Sequence, residues 1–271
     1  MDFKDRIVLI TGAGSGLGRH LAKDLEKAGC RIAISDYNED GLRETASLLE
    51  TPEDQLYLSV ADVTNPEDCR VMVEGVIDKF GRLDIFIPCA GASMWADFLD
   101  IEDLSIFRKM VDINYLGVVY GLHFALPHLI KSRGALVTIS SFQGVFGIAH
   151  HTAYSASKHA LNGFLEALES EIGDAIHILN VMPAWISGTN LRSNAYQASG
   201  EQGGKVRKHS RPIATVTVED CSRQIIKSLE KGKRELFQPK KVGHLRWIKT
   251  LFPWFVKSLI RHNVRKQHKE K

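Results

Sequence analysis

Cysteine is sparse in this 271-residue chain: Cys30, Cys69, Cys89 and Cys221 stand far apart with no C-x-x-C pair. That spacing argues against a disulfide framework or a zinc site, and no metal is assigned. Reduced thiols in a cytoplasmic setting are the expectation. An excess of one charge is also missing, since 35 Lys and Arg face 32 Asp and Glu, a net +3. No global field therefore calls for nucleic acid. The charged Met1 to Asp5 run straight into Ile7-Val8-Leu9-Ile10, without the basic start, apolar core and cleavage site of a signal peptide. No apolar run is expected to reach the length of a membrane-spanning helix. Internal repeats and low-complexity stretches are absent, and the 44% hydrophobic content suits one large domain around one core.

What the chain does have is alternation. Apolar strand-like runs near 7–10, 31–35, 55–60, 83–88, 135–139, 176–182 and 235–237 are separated by helical patterns at 19–28, 66–80, 102–131, 151–171 and 219–231. Such alternation predicts an α/β fold, a single Rossmann-like doubly wound parallel sheet with helices on both faces. The helix over 102–131 is expected to be bent, with Asn114 midway. Residues 1–239 form the predicted domain. Within it, 184–212 are rich in Gly, Ser, Asn, Gln and Lys and predict a substrate lid, with Trp185, Leu191 and Tyr196 as its apolar contacts. Residues 240–271 form a basic, aromatic-rich amphipathic extension broken at Pro253. It can lie in a membrane interface, roof an apolar pocket, dock on another subunit, or pack on its own core.

Three local patterns carry chemistry. Thr11-Gly12-Ala13-Gly14-Ser15-Gly16-Leu17-Gly18 follows the first strand and opens a helix, so backbone N–H groups and the helix dipole face a phosphate. An ordinary strand-to-helix loop is the alternative. Asp36, at the end of the second strand, stands where an acid can take the ribose hydroxyls and repel a 2′-phosphate. With Tyr37 after it and Ser15 inside the glycine turn, no basic residue welcomes that phosphate, so NAD is favoured over NADP; capping of the helix near Asn38 to Gly41 is the competing role. Tyr154 and Lys158 lie at i and i+4 on a helix, and Ser141 ends the strand before it. Lowering a phenol from about 10 to about 7 takes roughly 4 kcal/mol, the order supplied by an ammonium about 4 Å away at an effective dielectric near 20. The pair can thus make Tyr154 an acid/base, although a Tyr and a Lys four apart also arise by chance.

Taken together, Thr11-Gly12-x-x-x-Gly16-x-Gly18, Asp62, Ala90-Gly91, Asn114, Ser141 and Tyr154-x-x-x-Lys158 resemble the short-chain dehydrogenase/reductases, in their compact single-domain branch, from Lys4 to about Phe237. The resemblance implies that Tyr154 donates and accepts the proton, that Ser141 orients the substrate oxygen, and that Lys158 holds the nicotinamide ribose. It implies that Asn114 holds a water linked to Lys158. By the same resemblance Thr11, Gly12, Ser15, Gly16, Leu17, Gly18, Asp36, Asp62, Val63, Ala90, Gly91, Pro183, Ile186 and Thr189 join Tyr154 and Lys158 around the dinucleotide. Ser141, Gln143 and Trp185 would face substrate, in a mostly apolar pocket with Ser93, Met94, Phe146 and His151. Pro88-Cys89 and Pro183-Ala184 depart from the family pattern of Asn-Asn and Pro-Gly, and Thr189 stands one residue late. The implied activity is NAD(H)-dependent interconversion of an apolar secondary alcohol and ketone, by a homodimer or homotetramer. An NAD-sensing protein with little turnover and a peripheral-membrane lipid alcohol dehydrogenase are the alternatives.

Overall fold

The computed structural model describes residues 1–203, 215–252 and 254. In chain order the main elements are β1 (Ile7–Thr11), α1 (Gly16–Lys27), β2 (Arg31–Asp36), α2 (Glu39–Ser47), β3 (Tyr57–Val60), α3 (Pro66–Phe80), β4 (Ile85–Pro88) and α4 (Ser105–Val111). They continue with α5 (Gly117–Ser132), β5 (Ala135–Ile139), α6 (Thr152–Ile172), β6 (His177–Pro183), β7 (Trp185–Ser187), β8 (Thr215–Thr217), α7 (Val218–Glu230), β9 (Glu235–Gln238) and α8 (His244–Leu251). Seven strands form one parallel sheet in the order β3-β2-β1-β4-β5-β6-β9.

Alternation along β1 shows why both faces are covered. Val8 and Ile10 point into a core with Leu17, Leu21 and Leu25 of α1 and Ile225 and Leu229 of α7. Ile7 and Leu9 point the other way, toward Met72 and Val76 of α3, Leu122 of α5 and Leu161 of α6. Successive strand side chains face opposite ways, so continuous apolar runs demand helices on both sides. The strand order reverses beside β1, whose neighbours are β2 and β4. A crevice opens at such a switch point beyond the carboxyl ends of the strands. Buried Asp84, just before β4, ties the two strands' entry together by accepting from Ile7 N at 3.0 Å and Arg6 Nη1 at 2.8 Å. Burial pushes its carboxyl up, but the bonds from Arg82, Ile7 and Arg6 outweigh that and hold it below its ordinary range.

Several boundaries differ from the sequence reading. Helix α1 begins at Gly16, inside the glycine turn, where Gly16 still holds a left-handed φ of 50° and Gly18 already lies within the helix. The long helix begins at Ser105 and is interrupted by a π-turn, Asp112–Leu116, which accounts for the expected bend. Ser105–Ser132 is also long and apolar enough to cross a membrane, contrary to the expectation that no run is. Its inner face, Val118, Leu122, Ala125 and Leu129, packs on the sheet instead.

The predicted lid is tied down over its described part. Tyr196 bridges to Met94, with Trp95 N donating to Tyr196 O at 2.8 Å and Tyr196 N to Ser93 O at 2.9 Å. Residues 204–212 of that stretch lie outside the described residues, as do Pro253 and 255–271 of the C-terminal extension. Helix α8 is held to the body by Lys249, which donates to the carbonyl of Val145, and by Arg246 over the Phe237 ring.

Candidate active site

The glycine turn leaves β1 through Gly12, whose φ of 65° lies in the left-handed region. A side chain there would also meet the Ala90 backbone at 2.6 Å, so only glycine lets the turn lie against the loop after β4. One turn later a Cβ on Gly18 would lie 2.3 Å from the Gly12 carbonyl oxygen. These contacts pull the α1 N-terminus into the floor of the cleft. Helices α2, α3 and α7 each carry two acids in their first turn, whereas α1 has none. Its N–H groups and dipole are left for an anion.

Asp36 faces this turn from the end of β2. Its Oδ2 accepts from Gly14 N at 2.8 Å and its Oδ1 from Asn38 N at 3.0 Å. The cap of α2 is Asn38, which accepts from Gly41 N, so helix capping is not the task of Asp36. The nearby cation Arg19 is committed to Glu44, Thr45 and the Gly14 carbonyl. Asp62 accepts from both the N–H and the hydroxyl of Thr64, bracing the loop it begins, and Val63 beside it packs under Gly117. Thr11 Oγ1 accepts from Ala90 N at 3.3 Å. Ser15, Leu17, Gly91, Pro183 and Ile186 line the same cleft, and Thr189 stands against Gly16 at its phosphate end.

Cys89 occupies the floor where the family pattern has an amide. Burial pushes its thiol up to about 12, with the Lys158 charge opposing and Asp36 adding to the rise. It is an unreactive neutral group at ordinary pH.

At the other end, Ser141 starts a short turn after β5, its Oγ accepting from Gln143 N at 3.1 Å. Its hydroxyl also faces the Tyr154 phenol, where it favours the phenolate. Tyr154 and Lys158 share the buried face of α6. Lys158 Nζ donates to the Ile139 carbonyl at 2.8 Å and lies 5.9 Å from the Tyr154 ring centre. Burial lowers the Lys158 ammonium to about 8 and raises the Tyr154 phenol above its ordinary value. Desolvation on the packed helix face thus sets the direction for the phenol, with only the Ser141 hydroxyl opposing it.

Asn114, on the π-turn, is fully buried and clamps the loop after β4. Its Oδ1 accepts from Ala92 N at 3.0 Å, while Nδ2 donates to Ala92 O at 2.9 Å and Ser157 Oγ at 3.1 Å. With both amide hydrogens spent, a water held here would rest on a carbonyl oxygen. Ser157 lies inside the Tyr154-x-x-x-Lys158 segment, and nothing in its residue type or spacing marks it for this contact.

The cleft encloses about 640 Å³ and runs from Asp36 to Tyr196. Ser93, Gln143, His151 and Trp185 line it as expected, but Met94 and Phe146 do not. Met94 is packed beneath α6, accepting from Ala153 N, and Phe146 stacks on Phe142 at 4.3 Å under Lys249. Gln143 is fixed by Ser155, whose hydroxyl donates to its Oε1 at 3.0 Å. The substrate end is more polar than expected, because Lys109, Asp112 and Arg192 also line it. Sequence spacing gave no sign of these three, which come from α4, the π-turn and the stretch after β7.

The cleft thus has an anion-accepting helix start at one end and the Tyr154, Ser141 and Lys158 side chains at the other. In agreement, the family model for short chain dehydrogenases matches residues 6–200. The chain is 32% identical over 263 residues to the Dehydrogenase/reductase SDR family protein 7-like of Dictyostelium discoideum, covering 95% of this chain and 81% of that protein. It is likewise 32% identical over 260 residues to 11-beta-hydroxysteroid dehydrogenase A of Sesamum indicum, covering 93% of this chain and 72% of that protein. Among solved structures, a short chain dehydrogenase/reductase from Burkholderia phymatum in complex with NAD superposes with a TM-score of 0.80 at 18% identity, over 92% of this chain and 94% of that one. One from Burkholderia cenocepacia J2315 in complex with NADP gives 0.79 at 19%, over 96% and 99%. A glycine turn under an acid-free helix start, a tyrosine and lysine on one buried helix face and these likenesses lead to one conclusion: the chain belongs to the short-chain dehydrogenase/reductase family of oxidoreductases.

Proposed function

We propose that this protein is an NAD(H)-dependent oxidoreductase that interconverts a secondary alcohol and a ketone on a substrate with a largely apolar body. The observation that carries the reading is the pairing of Tyr154 with the Ser141 hydroxyl at one end of a cleft whose other end is the glycine turn and Asp36. The backbone from Gly12 to Gly18 would cradle the pyrophosphate, Asp36 the adenosine ribose, Asp62 and Val63 the adenine side, and Lys158 the nicotinamide ribose. Ala90, Gly91, Pro183, Ile186 and Thr189 would shape the walls between. A nicotinamide dinucleotide, when bound, supplies or accepts the hydride. In oxidation Tyr154 Oη takes the proton of the alcohol while Ser141 Oγ holds that oxygen in place; in reduction the same two groups return it.

Asp36 supports NAD over NADP, since its carboxylate repels a 2′-phosphate and Arg19 is already committed elsewhere. Fluorescence titration with NADH and NADPH tests this part, and NADH formation on a panel of apolar secondary alcohols tests the reaction. NADH preference with turnover is expected. Tighter NADPH binding would overturn the assignment of Asp36, and binding without turnover would favour a nucleotide sensor.

A second reading concerns where the enzyme works. Trp247, Leu251, Phe252 and Trp254 are exposed at and beyond α8, and residues 240–271 carry ten Lys and Arg against the single acid Glu270. Aromatic anchors within a strongly basic segment suit an anionic membrane surface, placing lipid-like alcohols within reach. Co-sedimentation with phosphatidylserine vesicles tests it: binding lost on removal of 240–271 is expected, and unchanged binding would refute it.

A further inference from the structure

Arg192 is unlike the other cations around the cleft. Lys158, which also lines it, donates to the Ile139 carbonyl at 2.8 Å, Arg19 nearby meets Glu44, and Lys109 is held by Asp103 at 3.5 Å, by the Gly200 carbonyl and over the Tyr196 ring. Arg192 lines the cleft with its guanidinium carbon 4.4 Å from the Trp185 ring centre. Among the described residues it has no ion-pair partner and donates no side-chain hydrogen bond. Stacking uses the flat face of a guanidinium and leaves its rim of N–H donors open. Partial burial also strips water from it and lowers its affinity for its proton, a cost that a bound anion would relieve.

The position of the stack connects it to the chemistry. Trp185 meets the His151 ring at 5.8 Å, and His151 meets the Tyr154 ring at 6.3 Å. The open cation is thus linked to the phenol by three contacts, Arg192–Trp185, Trp185–His151 and His151–Tyr154, which places it on the Tyr154 side of the cleft. Asp112 is the carboxylate lining this end, and it lies 3.5 Å from Arg108 Nε.

Building on the oxidoreductase reading above, we propose that the substrate carries a carboxylate at the end remote from its reacting carbon, and that Arg192, stacked on Trp185, is the residue that anchors it. The fork of a guanidinium matches the two oxygens of a carboxylate. A phosphate dianion would call for a second open cation, and Lys109 is already engaged. The substrate class is therefore an oxo or hydroxy acid with an apolar chain or ring body between its two polar ends.

Binding can be read without turnover, by calorimetry of decanoate and of decanamide to the NADH-loaded protein. Decanoate is expected to bind roughly 10- to 100-fold more tightly, the range of a charge-assisted bidentate contact in a partly desolvated site. Arg192→Leu should erase that preference while leaving decanamide and NADH affinity within about twofold, and Arg192→Lys should keep part of it. Equal affinity of the two probes for the native protein would overturn the proposal. A preference that survives Arg192→Leu would do so too, as would a loss of NADH affinity in that variant, which would give the cation to the dinucleotide. Failure of every alcohol and ketone to react would count against the oxidoreductase reading and leave the carboxylate result to stand on its own.

Discussion

The two ends of the cleft are built from different material. At the phosphate end, the surface offered to a ligand is backbone: Gly12, Gly14, Gly16 and Gly18 bring the α1 N-terminus and the loop at Ala90 together, and one carboxylate, Asp36, closes it. At the substrate end the surface is side chain, with Gln143, His151, Tyr154, Trp185 and Arg192 contributed by three separate segments and locked by contacts to one another. Backbone recognition depends on conformation, and conformation is set by neighbours in the chain. Side-chain recognition depends on which distant segments the fold brings together.

Each end can be broken separately. The largest effect is expected at the proton: Tyr154→Phe should lower kcat roughly 10²- to 10⁴-fold, the usual contribution of a positioned acid/base, in steady-state assays on whichever alcohol is turned over. Next comes the backbone end. Gly12→Ala forces a Cβ to within 2.6 Å of the Ala90 backbone at a φ of 65°, and should weaken NADH binding by about 100-fold or lower the melting temperature by several degrees. Retained NADH affinity with unchanged stability would show that the turn is not set by that contact.

Lys158 sharpens the comparison because its burial has a price in stability. Its ammonium falls from 10.5 unfolded to about 8 folded. Between those values the unfolded chain holds a proton that the folded chain has released, so stability rises with pH across the window of about 8 to 10.5 and the cost is constant below it. Lys158→Met removes the cost, and should be more stable at neutral pH by on the order of 1–3 kcal/mol after loss of the Ile139 bond, with the rise above pH 8 abolished. Urea unfolding at several pH values checks this, and a less stable variant would contradict it. The smallest effect is expected at Asp36→Ala, where the ratio of NADH to NADPH affinity should relax by about tenfold with little change in stability, since the lost interaction is with a partly solvated charge.

The same difference explains what could be read in the sequence. The glycine turn, Asp36 and the Tyr154–Lys158 pair sit on single strand-to-helix units, where spacing alone fixes their relative positions, and the sheet followed from apolar runs that reach both cores. The bend at Asn114 was expected from the length of its helix, although the clamp on Ala92 and Ser157 was not, because it joins residues 22 and 43 positions apart. Arg192 and Lys109 went unnoticed among other surface-like cations. Their place in the cleft follows from the pairing of Tyr196 with the Ser93–Trp95 backbone, and no short pattern encodes that pairing. The Tyr154 phenol was expected to be lowered by Lys158, and burial reverses the direction, because desolvation is a property of the packed helix face rather than of the spacing.

The claim that cofactor binding and proton transfer are built by separable parts is tested most directly by titrating NADH into Tyr154→Phe. A dissociation constant within about twofold of the native protein is expected in a variant whose turnover has collapsed. A loss of NADH affinity matching the loss of turnover would contradict it, since the two ends of the cleft would then be one structure.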